Sequence, residues 1–441
     1  MLAAIAVVNA SPAGLLRPVR IEHDRAVKRL CAGFGVFAGT VVLLLGLLDT
    51  SRAHAQATNP MESPPRQPLE EGRKLFEAKR CAQCHAVSGS EEARVGPDLG
   101  KGEGWKDIMH FAGSLWNHTP AMLAKMQERG IDRPAITPEE MNHLAAYVFF
   151  VNFRSGPGNV ARGRELFKER QCSRCHQLGG RGGTVGPRLD ELKEYVSAFF
   201  LAQALWNHGP QMAGKMQEMH VERAQLEPGD VSDLVAFIRG EAAPAGPAEV
   251  AYAQSGSPQV GEAVFRDKGC TSCHSMSGSG GSVGPDLGKP RGHVNASGIA
   301  AALWNHGPEM WAKMKERGLS FPRMNEREMA DLLAYVYFAQ VMGNGGDARK
   351  GAQLIAEKSC TKCHACGGDG PRIGPDLAKS DAVRSPIRWV AAIWNHGPRM
   401  QERMREAQLA WPRFEDDEMR DLVEYAKTRS QQPREGQETW K

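Results

Sequence analysis

Cys-x-x-Cys-His stands four times in this chain, as Cys81/Cys84/His85, Cys172/Cys175/His176, Cys270/Cys273/His274 and Cys360/Cys363/His364. Two thiols three residues apart can form thioethers with the two vinyl groups of one haem, and the imidazole that follows then faces the iron. Zinc would ask for a second ligand pair at each copy, and a thioredoxin-like redox pair would ask for a βαβ setting. Neither accompanies these motifs. The expected chemistry is covalent capture of four haem c groups, with the eight cysteines as attachment points and His85, His176, His274 and His364 as iron ligands.

The motif belongs to a larger repeat. Its first cysteines are spaced by 91, 98 and 90 residues, the size of a small domain rather than of a solenoid unit. Each copy is followed by Gly-Pro-x-Leu, at Gly96, Gly186, Gly284 and Gly374. Trp-Asn-His-x-Pro-x-Met comes next, starting at Trp116, Trp206, Trp304 and Trp394. A short amphipathic segment precedes each motif and pairs a glycine with a bulky residue: Gly72/Phe76, Gly163/Phe167, Gly261/Phe265 and Gly351/Ile355. Near the end of each unit, Leu144/Tyr147/Val148, Leu234/Phe237/Ile238, Leu332/Tyr335/Val336 and Leu422/Tyr425 recur with helical period. Thr137, Pro138 and Glu140 mark the start of that last helix in the first repeat, and Asn325 with Glu328 does so in the third. The second and fourth repeats lack a clear cap. No alternating strand pattern is present, so the fold class is all-α, with a few helices around one covalently attached haem in each of four tandem domains. The domains are expected at residues 68–155, 156–240, 259–345 and 346–429. A Pro-rich tether (56–67) precedes them and a polar tail (430–441) follows. The Ala/Pro/Gly-rich linker 241–258 reads as a looser hinge between two tandem pairs.

Together these features resemble class I cytochrome c domains, four times over about residues 68–428. The resemblance implies that the first helix of each unit crosses the last at a glycine/aromatic contact, Gly72 with Tyr147 and their repeats. It implies that the carbonyls of Pro97, Pro187, Pro285 and Pro375 accept the Nδ1–H of the proximal histidines, fixing ring and tautomer. A methionine as sixth ligand follows from the family pattern. Each repeat offers two, four residues apart. The second, Met126, Met216, Met314 or Met404, lies six residues past its proline and fits the family's offset better. Met122, Met212, Met310 and Met400, and the histidines His118, His208, His306 and His396, are the alternatives. The glycine-threonine-x-methionine-proline loop usual in the family is missing here. The leftover methionine of each pair reads as core packing, and the Trp and Asn-His as groups at the haem edge that hold a propionate or the loop.

Composition sets the rest. Of 441 residues, 41% are hydrophobic and 24% charged, which excludes a largely disordered or polytopic membrane chain. Net charge is +4, of which residues 1–55 hold +3, so a nucleic-acid partner is ruled out. Arg25, Lys28 and Arg29 precede a 19-residue apolar run, Leu30 to Leu48, and then Ala53-His54-Ala55. That is a signal-peptide pattern, with cleavage expected after Ala55; a retained anchor facing the periplasm is the alternative. Cys31 would leave with the signal, while Cys366 reads as a buried, inert thiol rather than one that pairs between molecules. His110, His143, His220 and His293 read as surface or packing residues. Arg188 stands where the other repeats have Asp98, Asp286 and Asp376, a difference able to spread the potentials. The function expected is an exported, periplasmic tetrahaem electron carrier between redox-protein donor and acceptor, not an enzyme, with membrane contact only if the N-terminal segment is retained. The cytochrome subunit of an oxidoreductase, or a haem peroxidase with one open haem, is the rival. No Rossmann fingerprint or catalytic triad pattern supports an enzyme.

Overall fold

The computed structural model describes residues 66–87, 95–101, 105–154, 156, 158–192, 196–240, 256–289, 295–343, 345–368 and 370–431. The expected signal segment, nearly all of the tether, most of the linker and the end of the tail lie outside the described residues. Each repeat contributes three helices. The first has α1 (Arg66–Ala78), α2 (Ile108–Glu128) and α3 (Pro138–Phe153). The second has α4 (Val160–Glu169), α5 (Ala198–Glu218) and α6 (Asp230–Arg239). The third has α7 (Pro258–Asp267), α8 (Ala296–Glu316) and α9 (Glu326–Met342). The fourth has α10 (Ala348–Glu357), α11 (Pro386–Glu406) and α12 (Glu418–Gln431). Helix α1 thus begins inside the stretch expected as tether. Two small hairpins, Gln177–Leu178 with Arg181–Gly182 and Ser275–Met276 with Ser279–Gly280, are the strands among the described residues. Both capping boxes form, Thr137 with Glu140 and Asn325 with Glu328, whereas α6 starts at Gly229 without a side-chain cap.

Helices α2, α5, α8 and α11 are each 21 residues long and run straight through Pro120, Pro210, Pro308 and Pro398. An internal proline deletes one helical N–H, which leaves the carbonyl four residues earlier without its partner. That residue is the motif tryptophan every time. Trp411 Nε1 donates to the Trp116 carbonyl at 3.1 Å, and Arg223 donates to the Trp304 carbonyl at 2.8 Å.

The first and last helices of each repeat cross at the expected glycine. A Cβ at Gly72, Gly163, Gly261 or Gly351 would drive into the carbonyl of His143, Asp233, Asp331 or Asp421 and stand 2.7 Å from the Cβ of Tyr147, Phe237, Tyr335 or Tyr425. The obstacle is backbone, so it cannot yield by changing a rotamer. Gly351→Ala is expected to destabilise the fourth repeat by about 1–3 kcal/mol or more, as overpacking does. Urea denaturation of the variant, with haem release from one site as the accompanying signal, checks this.

The expected division into two tandem pairs is corrected. The domains interlock first with fourth and second with third, because the Trp and Asn side chains of each repeat hydrogen-bond to the backbone of another repeat. Trp116 Nε1 donates to the Pro412 carbonyl (2.7 Å), while Asn117 both donates to the Phe414 carbonyl (2.7 Å) and accepts from its N–H (2.9 Å). Trp394 and Asn395 return the same bonds to Pro134 and Ile136 (2.8, 2.7 and 3.0 Å). In the second seam Trp206 and Asn207 hold Pro322 and Met324, and Trp304 and Asn305 hold Ala224 and Leu226. Each seam therefore has pseudo-twofold symmetry. Phe153, fully buried, joins the two seams: its ring packs on Phe199 of the second repeat and on Tyr337 of the third, whose hydroxyl donates to the Phe149 carbonyl at 2.6 Å.

Candidate functional site

The cysteine motifs share one local conformation. The residue before the first cysteine has positive φ in all four repeats: Arg80 (64°), Gln171 (62°), Gly269 (78°) and Ser359 (61°). Only Gly269 adopts it without steric cost. The reversal ends the first helix and starts a 3₁₀ turn, in which the first cysteine's carbonyl accepts the histidine N–H at 2.9 Å. A basic residue two before that cysteine fastens the turn to the start of the last helix: Lys79 to Glu140 (2.7 Å), Arg170 to Asp230 (2.9 Å), Lys268 to Glu328 (2.8 Å) and Lys358 to Glu418 (2.8 Å). The basic residues were not singled out from the sequence, although their fourfold recurrence at one offset was the available signal.

The proximal histidines are held as the resemblance implies. Nδ1 of His85, His176, His274 and His364 lies 2.9, 3.0, 3.0 and 2.8 Å from the carbonyl of Pro97, Pro187, Pro285 and Pro375. A carbonyl only accepts, so Nδ1 carries the proton and Nε2 keeps its lone pair. Burial holds the His85 imidazole below its usual pKa, so it is neutral and able to ligate. The glycine before each proline has a role that sequence reading missed. A Cβ at Gly96 or Gly186 would stand 2.5 Å from Cε1 of His85 or His176, and Gly284 and Gly374 abut His274 and His364 in the same way. Only a residue without a side chain lets the loop lie against the ring.

In the first repeat the two cysteines and His85 open onto a cavity of about 570 Å³, within the range of cofactor pockets. Met122, Met126 and His118 all line it, so the structure brings every sixth-ligand candidate of that repeat to one place. His118 is exposed, and its Nδ1 lies 2.7 Å from the Ser114 carbonyl. Leu115, Ile131, Ile136, Leu144 and Val148 make most of the wall apolar. His110, read from the sequence as surface or packing, also lines the cavity, with Nδ1 buried and no hydrogen-bond partner among the described residues. Trp394 of the fourth repeat closes the wall from across the seam.

Burial pushes the thiols of Cys81, Cys172, Cys270 and Cys360 up to about 11. Among the described residues, no group of three or more His, Cys, Asp or Glu is placed to hold a metal ion. In the first repeat the residues present fit a haem: two cysteines, an imidazole whose Nδ1 is held by the Pro97 carbonyl, a largely apolar cavity, and methionine and histidine side chains that also line it.

Two smaller expectations resolve here. Repeat two does not lose its loop carboxylate at Arg188, since Asp190 accepts the Gly179 N–H at 2.6 Å much as Asp376 accepts that of Gly367 at 2.8 Å. Cys366 is partly buried and its thiol is also pushed up to about 11, chiefly by burial. Arg429 donates to its carbonyl and to that of Gly367.

Among known proteins, no curated protein and no solved structure matches the chain. The cytochrome c family model matches it four times, over residues 69–149, 160–241, 259–337 and 348–430. These four segments, which take in most of the sequence and each enclose one cysteine motif, show that the chain belongs to the cytochrome c family of electron-transfer haem proteins.

Proposed function

We propose that this protein is an exported tetrahaem carrier that relays electrons between redox-protein partners, with one haem c on each cysteine pair and His/Met ligation at each iron. The observation that carries the reading is the fourfold histidine–proline carbonyl bond, which leaves Nε2 free to bind iron, together with the first repeat's cavity, which His85 and both methionines line. Bound haem supplies one-electron exchange at iron. The chain's part would be to offer the iron a histidine and a methionine, to exclude solvent with the apolar wall, and to hold those side chains so that little moves when charge changes. Cys81, Cys84, Cys172, Cys175, Cys270, Cys273, Cys360 and Cys363 would anchor the groups. His85, His176, His274 and His364 would bind one side, and Met126, Met216, Met314 and Met404 the other. Methionine favours the reduced state relative to a second histidine. Export rests on the Leu30–Leu48 run and Ala53-His54-Ala55. No described helix is long and apolar enough to cross a membrane.

The ligand assignment is tested on the haem-loaded chain. Each of Met126→Ala, Met216→Ala, Met314→Ala and Met404→Ala should remove about a quarter of the near-infrared sulfur-to-iron band, one site in four. A full band in all four variants would move the assignment to Met122, Met212, Met310 and Met400. Carbon monoxide should leave the reduced wild-type spectrum unchanged; uptake at one site would favour the peroxidase reading.

A further inference from the structure

The two seams are symmetric in their hydrogen bonds but not in their side chains. At one equivalent position the repeats carry Arg133, Arg223, Phe321 and Trp411. In the first seam Trp411 stacks on Trp116 (4.1 Å between centroids), while Arg133 lies over Trp394 (3.9 Å). In the second Phe321 stacks on Trp206 (5.0 Å), while Arg223 lies over Trp304 (3.3 Å). At this position each seam therefore holds one guanidinium and one aromatic ring.

Neither guanidinium has a carboxylate partner among the described residues. All three side-chain nitrogens of Arg133 are buried and without a hydrogen-bond acceptor, as are Nε and Nη1 of Arg223. Burial pulls both groups down to about 10, which still leaves them cationic at neutral pH. Stacking on an indole offsets part of the cost but cancels none of the charge. Uncompensated charge in a poorly polarisable interior acts over long range.

The first seam reaches the first repeat's cavity through the tryptophan beneath Arg133. Trp394, beneath Arg133, lines the first repeat's cavity together with Pro134 and Ile136, the residues it and Asn395 hold. In sequence it stands two residues before His396 and six before Met400, the fourth repeat's ligand candidates. In return Trp116 reaches Pro412 and Asn117 reaches Phe414, the fourth repeat's counterparts of Pro134 and Ile136. A wall of one site is thus built on the helix that serves the other.

We propose that the four centres work as two seam-coupled pairs, first with fourth and second with third, and that Arg133 and Arg223 are the positioning charges that set the potentials of both members of their pair. The proposal rests on the electron-transfer reading above. Exchange within a pair moves one electron from the reduced centre to the oxidised one, with no bond made or broken. Chain order, which would couple first with second, is not the order of contact at the seams. A fixed cation at a seam disfavours the oxidised state on both sides.

Spectroelectrochemical titration of the full haem-loaded chain tests this. In Arg133→Leu, two of the four midpoint potentials should fall, each by about tenfold in the reduction equilibrium, or about 59 mV for one electron, while the other two stay. Arg223→Leu should move the complementary two, and Arg133→Lys should restore the wild-type values. Arg133→Gln, neutral but still polar, gives the same reading should the leucine variant fail to fold. Movement of one haem only, of all four, of none, or of the same two in both variants would overturn the proposal. Carbon monoxide uptake by the unaltered reduced protein would instead sink the saturated-carrier reading, and it leaves the seam result to stand or fall separately.

Discussion

Gly96→Ala should cost the first site its proximal ligand while the other three keep theirs. The added Cβ would stand 2.5 Å from Cε1 and 2.7 Å from Nδ1 of His85, well inside contact distance. The ring cannot retreat freely, because its Nδ1–H is tied to the Pro97 carbonyl at 2.9 Å and its backbone N–H to Cys81. It must tilt, and tilting breaks the bond that fixes the tautomer. Losses of such supporting contacts weaken metal binding on the order of 10- to 100-fold. The expected observation is an oxidised spectrum in which one haem of four turns high-spin or binds added imidazole, with four haems still covalently attached by mass. Gly186→Ala, Gly284→Ala and Gly374→Ala should each do the same at their own sites. A wild-type spectrum in all four would show that the loop, not the ring, gives way.

Asn207→Leu should loosen the seam between the second and third repeats more than any other single change there. Asn207 is buried, donating to the Met324 carbonyl at 2.7 Å and accepting the Met324 N–H at 3.1 Å. Leucine has the same branched shape but can do neither, so the Met324 N–H loses its partner in a place water reaches poorly, while the Met324 carbonyl keeps Gln203 Nε2 at 3.1 Å. An unsatisfied buried group costs about 1–3 kcal/mol, so a loss of about that size is expected. Denaturant unfolding followed at the haem bands and by far-ultraviolet circular dichroism should show two separated transitions where the wild type shows coincident ones. Asn117→Leu should act likewise on the other seam, where the carbonyl and the N–H of Phe414 both lose their partner and the half-buried setting lowers the cost of each.

Much of the single repeat was legible in the sequence because its contacts are local or carry a residue signature. The cysteine motif fixes its own turn over five residues. Thr137 with Glu140, and Asn325 with Glu328, cap their helices across three residues by side-chain chemistry that few other residues supply. Gly72 against Tyr147 was legible through the family resemblance, and the structure adds the reason, a helix crossing too close to admit a side chain. The Pro97 carbonyl was legible only through the family resemblance. Gly96 was overshadowed by the proline beside it, since a Gly-Pro pair reads first as a turn. His110 escaped because it occurs in one repeat only, so no recurrence marked it.

What the sequence alone determined is the unit: its helices and one cysteine-histidine motif, repeated four times. What only the tertiary structure decided is who pairs with whom, and therefore what the most regular motif after the cysteines is for. Trp116 and Asn117 look like cofactor-edge groups, yet they bond to residues 296 and 297 positions away. Their partners are the carbonyls of Pro412 and Phe414, and every residue has a carbonyl. A backbone acceptor leaves no trace in the residue type, so the donor was visible in the sequence and its destination was not.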